Sequence, residues 1–297
     1  MKASILDDDF NEWGTEDTRT ELIRKLQRLE EERYILREGE RLQDFTNLML
    51  RHIGDPESEL REQIYSTFHI WLKRDNKFSC AEMQHLLAVL MDDRHLFYQI
   101  GSEDDHSVLT RAFAVLPIVL IVQRHRNNSF LTPDEFQHLK HSLLRYYQEE
   151  KDLRGYLAVE GWAHAAAHGA DALEELIRCP ESDNAVQREV LGAIKGMLHN
   201  GVRIFDEEED ERMASIVETM ISEALLPQQE IADWIHSLSL CTEWPDTRAP
   251  RIARVNGKNF VRSLYFRTRA HNDGNNLILN GAMLTAEAKL NHFKEAN

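Results

Sequence analysis

The stretch DPESELREQIYSTFHIW, residues 55 to 71, decides the fold class. Leu60, Ile64, Phe68 and Trp71 recur at three- and four-residue spacing, which puts all four on one face of a helix. Asp55-Pro56 marks the start, because Asp can accept the free N–H groups of a first turn and Pro has no N–H to lose there. The spacing predicts a helix opening at Asp55 with one apolar face.

The same punctuation recurs outward along the chain. Ser79-Cys80-Ala81-Glu82 and Thr132-Pro133-Asp134-Glu135 have the form of capping boxes, in which hydroxyl and carboxylate satisfy each other's backbone donors. Asp183 precedes Val186, Val190, Ile194 and Met197, and Asn200-Gly201 ends that run with residues that tolerate a left-handed backbone. DEEEDE at 206 to 211 reads as a solvated helix start, where acidic side chains favour the dipole, ahead of Met213, Ile216, Val217 and Met220. AFAVLPIVLIV at 112 to 122 reads as a buried core helix kinked at Pro117, shorter than the roughly 20 residues a membrane span needs. Helices are expected over 258 to 270 and 276 to 294, with HNDGNN between them and a long loop over EWPDTRAPR at 243 to 251.

Period-two strand patterns are nearly absent, so the class is all-α with about a dozen helices. Three cap-and-arginine pairs, Asp55 with Arg61, Asp105 with Arg111 and Asp183 with Arg188, are similar to the second helix of HEAT and armadillo repeats. Their starts at 55, 105 and 183 lie 50 and 78 residues apart, so no fixed period is present. Short connections between amphipathic helices favour stacked antiparallel hairpins: an armadillo- or HEAT-like α-α superhelix, with a closed α/α toroid as the alternative. The expected division is a helical segment over 1–54 and one continuous helical-repeat domain over 55–297.

Thirty-five Lys and Arg stand against 51 Asp and Glu, a formal charge of -16 that repels nucleic acid and anionic membrane. The three cysteines, Cys80, Cys179 and Cys241, are far apart and form no Cys-x-x-Cys pair, so neither a disulfide framework nor a zinc knuckle is indicated. MKASILDDDF lacks the basic start and apolar run of an export signal. The expectation is a cytoplasmic protein.

The segment with chemical spacing is GWAHAAAHGAD at 161 to 171. On one continuous helix Glu160, His164, His168, Asp171 and Glu175 would share a face, opposite Ala166, Ala170, Leu173 and Ile177. Two histidines four residues apart can converge on a metal, with Asp171 as an oxygen ligand. Ala165 stands where a zincin needs its general base, and no Cys is near, so no metal and no cofactor is expected. Hydrogen bonding that fixes one helix against the next ranks first, a binding groove second and a metal site third. The candidate groove comprises Arg154, Trp162, His164, His168 and Asp171, with Arg154 able to take an anion or bridge to an acidic neighbour. Asp105, His106 and Ser107 are consecutive and so read as capping, not as a catalytic triad.

Taken together, DDRHLFYQIG, DHSVLTRAFAVLPIVLIV, DLRGY, GWAHAAAHGADALEEL and NFVRSLYFR resemble a bacterial domain-of-unknown-function family, numbered twenty-seven eighty-five, over about residues 50 to 270. That resemblance implies an all-helical, armadillo-like fold and no established activity. Gly161, Trp162 and His164 also resemble the helix start of lanthionine-synthetase cyclases, which are α/α toroids; Ala165 replaces their second Gly, and their zinc ligands have no counterpart here. The leading expectation is a non-enzymatic helical-repeat protein that binds a protein or small ligand. The alternative is a metal-dependent hydrolase or cyclase-like enzyme using His164, His168 and Asp171.

Overall fold

A computed structural model describes residues 15–270 and 277–291, and these are all-α apart from one two-stranded hairpin. The N-terminal MKASILDDDF and the HNDGNN turn lie outside the described residues. Twelve α-helices are present among the described residues. The chain packs as two compact units: residues up to 135 together with 150–168, and residues 136–149 together with 169 onward. The boundary expected at 54/55 falls inside the first unit.

The first unit contains α1 (Glu16–Glu31), α2 (Leu42–Arg51), α3 (Ser58–His69), α4 (Cys80–Leu90) and α5 (Ser107–Asn127). The α3 helix carries the predicted apolar face, with Leu60, Ile64 and Phe68 buried, and relaxes into a π turn over Ile70–Arg74 that buries Trp71. Trp71 donates its indole N–H to Tyr34 O at 3.0 Å and meets Phe45 edge-on. The start lies later than expected. Asp55 Oδ1 accepts from Glu57 N while the same carboxylate takes Arg19 Nε at 2.7 Å, so Asp55 orders the turn before the helix instead of capping it. The capping boxes at Ser79 and Thr132 form as read.

The α5 helix is buried nearly all round, the signature of a central helix rather than an amphipathic one. It runs for 21 residues, continuous through Pro117, and is by length and composition able to cross a membrane; here most of it is buried inside the protein. It also holds two polar groups that no apolar solvent would accept unpaired. His125 Nδ1 accepts from Phe130 N and Leu131 N at 3.1 and 3.2 Å. Arg111 pairs with Glu150, both side chains sealed from solvent at 0 and 1% exposure.

The second unit gathers most of α6 (Pro133–Glu149) and α7 (Ala165–Ile177) with α8 (Asn184–Leu198), α9 (Glu209–Ser222), α10 (Gln228–Ser237), α11 (Arg248–Ala270) and α12 (Leu277–Leu290). Asp183 caps α8 through Ala185 N and Val186 N, as its position predicts. Asn256, fully buried on α11, donates to Leu198 O and Arg203 O and accepts from Phe205 N, which ties the loop after α8 to α11. Two expectations fail here. EWPDTRAPR is not a long loop, because a 3₁₀ turn runs to Glu243 and α11 already begins at Arg248, with Pro250 in its first turn where proline is tolerated. The DEEEDE run is not wholly solvated, since Glu209 is buried and burial pushes its carboxyl above the ordinary range.

Two packing constraints are open to direct test. Arg111→Met strands Glu150 as a buried charge and is expected to cost about 3–5 kcal/mol in urea unfolding, with Glu150→Leu added in the same chain recovering a large part. Gly169 on α7 lies so close to two buried rings that an added Cβ would fall 2.7 Å from Tyr147 Cδ2 and 3.2 Å from Tyr146 Cε1. Gly169→Ala is therefore expected to destabilise by about 1–3 kcal/mol, despite a helix-propensity gain of up to about 1 kcal/mol.

Candidate functional site

The approach to α7 is built from backbone constraints. Tyr156–Leu157 and Gly161–Trp162 pair antiparallel, with Tyr156 opposite Trp162 and Leu157 opposite Gly161. Gly161 takes φ +78° and lies against Ser58, with a hypothetical Cβ at 3.3 Å from the serine Cβ, so glycine suits both the turn and the contact. Gly155 O then accepts from both Ala163 N and His164 N, and His164 itself adopts φ +53°. The helix begins only at Ala165, although His168 N already donates to His164 O at 2.9 Å.

Glu160 therefore sits on the hairpin and not on the helix, which corrects the five-residue stripe expected from spacing alone. Its carboxylate accepts His106 Nε2 at 2.8 Å. The face assignment of α7 changes as well. Ala166, Ala170 and Leu173 are buried as predicted, but Glu175 is buried too, and no residue from Ala165 to Ile177 is exposed.

Arg61 is the residue that holds the hairpin, and spacing alone did not assign it that work. Its side chain is wholly buried, donating from Nη1 to Asp55 O and Pro56 O and from Nη2 to Glu160 O and Trp162 O. The guanidinium also stands 4.8 Å over the Phe113 ring, and burial pulls its pKa below the ordinary value. Four carbonyl contacts and a ring face replace most of the water that a buried guanidinium loses, while Nε is left without a partner among the described residues.

The candidate residues divide into three surroundings. Arg154 does not wait for an anion: Nε and Nη2 grip Asp152 at 2.7 and 2.5 Å, and Nη2 also donates to Asp105 O at 2.8 Å. Trp162, His164 and His168 do come together. Trp162 meets Tyr156 edge-on at 4.9 Å and lies 4.3 Å from the His164 ring, which meets His168 edge-on at 6.0 Å. His168 Nδ1 is 3.1 Å from Ala112 O, so this nitrogen carries the proton, and Phe113 packs edge-on against the ring. Asp171 belongs to the second unit, where both carboxylate oxygens accept Arg212 Nη1 at 3.1 and 3.2 Å. Burial drives its pKa up, and Arg212 only partly offsets that. Among the described residues, no group of three or more His, Cys, Asp or Glu side chains is arranged to hold a metal ion.

In the polar stretch before α5, Asp105 Oδ1 accepts from Ser107 N at 2.7 Å and orders the turn, while the N-cap position falls to His106, which makes no side-chain cap bond. Arg111 Nη1 donates to Ser107 Oγ at 2.6 Å, so this hydroxyl serves the buried ion pair.

An all-helical chain with buried arginines and an aromatic hairpin entering α7 defines the class. The family model described as a protein of unknown function (DUF2785) matches residues 96–266, and the chain belongs to that family. The match is narrower than the expected 50 to 270 and covers α5, the hairpin, α7 and most of α11. No curated protein matches the chain, and no solved structure does either.

The raised pKa of Asp171 carries a pH signature. A carboxyl that binds its proton more tightly folded than unfolded makes the folded state hold more protons, so stability falls as pH rises from about 4 through the raised folded value. Asp171→Asn removes that contribution, and its stability measured in urea across this interval should decline less steeply than that of the parent.

Proposed function

We propose that this protein is a binding or scaffold protein of the helical-repeat kind, and that its docking element is the Tyr156–Trp162 hairpin, in place of a groove along the full histidine stripe. One observation carries the reading: a hairpin pinned through its carbonyls by a wholly buried Arg61 keeps Tyr156, Val159 and Trp162 exposed at 51, 88 and 42%. Large apolar side chains left in water cost free energy, and a rigid support means little ordering cost remains when a partner covers them. His164 behind Trp162 and His168 on Ala112 O act as supports for this surface.

An armadillo- or HEAT-like stacking of helical hairpins within each unit belongs to the same proposal. It is supported by packing between chain neighbours, such as α1 with α2, α8 with α9 and α11 with α12, and between next neighbours, such as α1 with α3 and α9 with α11. A cytoplasmic setting also belongs to it, supported by three cysteines of which none is in a disulfide, two of them buried. The partner class is a protein surface, without nucleic acid or membrane, in keeping with the acidic balance of the chain.

The test is Trp162→Ala combined with Val159→Asp in the full chain. Both side chains are exposed, so the melting temperature is expected to stay within about 2 °C of the parent. In extract of the source cell, the parent is expected to elute as a complex on size exclusion and the double variant as the free chain. A complex that survives the double substitution, or a parent that elutes alone, removes the hairpin as the docking element.

A further inference from the structure

We propose that the first unit holds a binding site for a small, neutral, polyhydroxylated molecule of about monosaccharide size, in the pocket between the α2–α3 loop and the start of α5. The inference is independent of the hairpin reading. The pocket has a volume of about 410 Å³ and is lined by His52, Asp55, Tyr98, Asp105, Ser107 and Thr110 among others. This lies within the range of roughly 300–1,000 Å³ common for small-molecule sites.

Thr110 is the informative residue. It is 8% exposed, lines the pocket, and its hydroxyl makes no hydrogen bond among the described residues. Gly54 explains how the wall closes: an added Cβ there would fall 2.1 Å from Thr110 Oγ1, so the loop backbone lies directly against this hydroxyl. The residue is buried but its oxygen is not sealed off, so solvent or a ligand in the pocket is what remains to hydrogen-bond it.

The charges around the pocket select the ligand class. Arg19 holds Asp55 through two hydrogen bonds of 2.7 and 3.1 Å. Asp105 takes Ser107 N; burial raises its carboxyl, but the Ser107 hydrogen bonds together with the charges of Arg111 and Arg154 hold it below the usual range. His106 gives Nε2–H to Glu160, and His52 has Nε2 3.0 Å from Thr18 Oγ1, with burial holding its pKa below the ordinary value. Arg51 also lines the pocket and is itself engaged. Behind the wall, Arg111 is matched by Glu150.

An anion on the α5 N-terminus would compete with the Asp105 carboxylate already seated on Ser107 N. A metal ion finds no set of three His, Cys, Asp or Glu ligands among the described residues. The lining carries mixed donors and acceptors: the Thr110 hydroxyl and the Asp105 carboxylate, beside a Gln99 amide that donates to the Tyr98 phenol at 3.3 Å. Alcohol groups, each both donor and acceptor, match such a lining without importing charge.

Calorimetric titration of the full chain with D-glucose, myo-inositol and inorganic phosphate tests the site. Saturable binding of at least one of the two polyols is expected, with no binding of phosphate. Thr110→Val, close in shape but lacking the hydroxyl, should weaken that binding about tenfold, whereas Thr110→Ser should retain it. Circular dichroism melting of both variants verifies that they fold. Binding of phosphate alone, no saturation by either polyol at tens of millimolar, or equal binding by folded Thr110→Val overturns the proposal.

Discussion

The buried Arg111–Glu150 pair is the constraint on which the first unit depends. A guanidinium inside a helix as apolar as α5 is tolerable only if a carboxylate and further acceptors reach it. Glu150 supplies the carboxylate, and Tyr98 O, Gln99 O, Ser102 O and Ser107 Oγ supply the rest. Meeting that demand folds the 98–107 segment onto the helix start. The order propagates, because Glu150 Oε1 accepts Asp152 N, Asp152 takes Asp104 N and Arg154, and Arg154 returns to Asp105 O. One buried charge thus organises the pocket wall and the irregular segment leading into the hairpin.

Arg61 solves the same problem differently. Among the described residues no carboxylate forms an ion pair with it, and it relies on four backbone carbonyls and the Phe113 face. Those carbonyls belong to the α2–α3 loop and to the hairpin, so satisfying one side chain joins two segments some hundred residues apart in sequence. Preorganisation follows from this: the hairpin holds its shape through its backbone, leaving its aromatic side chains available for contact.

The second unit stores its polarity in acids and a tyrosine. Tyr147 is fully enclosed, its phenol is raised by burial and by the nearby charges of Asp171 and Glu209, and its hydroxyl finds no partner among the described residues. Glu209 accepts Glu207 N through one oxygen, while the other is buried without a partner. Both Asp171 and Glu209 bind protons more readily than free carboxyls do. The acidic run at the head of α9 is therefore partly structural, even though its sequence looks like a simple surface charge block.

Local chemistry was legible from the sequence wherever neighbours along the chain decide the outcome. Capping boxes at Ser79 and Thr132, the Asp183 cap, the apolar face of α3 and the all-α class need only residues a few positions apart. His168 N reaches His164 O and the rings of Trp162, His164 and His168 meet, although His164 precedes the helix instead of lying on it. Tertiary contact decided the rest. Glu160 left the helix because Gly161 and His164 adopt positive φ and Arg61 holds the hairpin carbonyls. The three cap-and-arginine pairs separated for the same reason: Arg61 went to carbonyls, Arg111 to Glu150 and Arg188 to Glu230 on the surface. Arg154 and Asp171 likewise found Asp152 and Arg212. A charged side chain pairs with whatever the fold brings within reach, and sequence spacing specifies that only inside a single turn of helix.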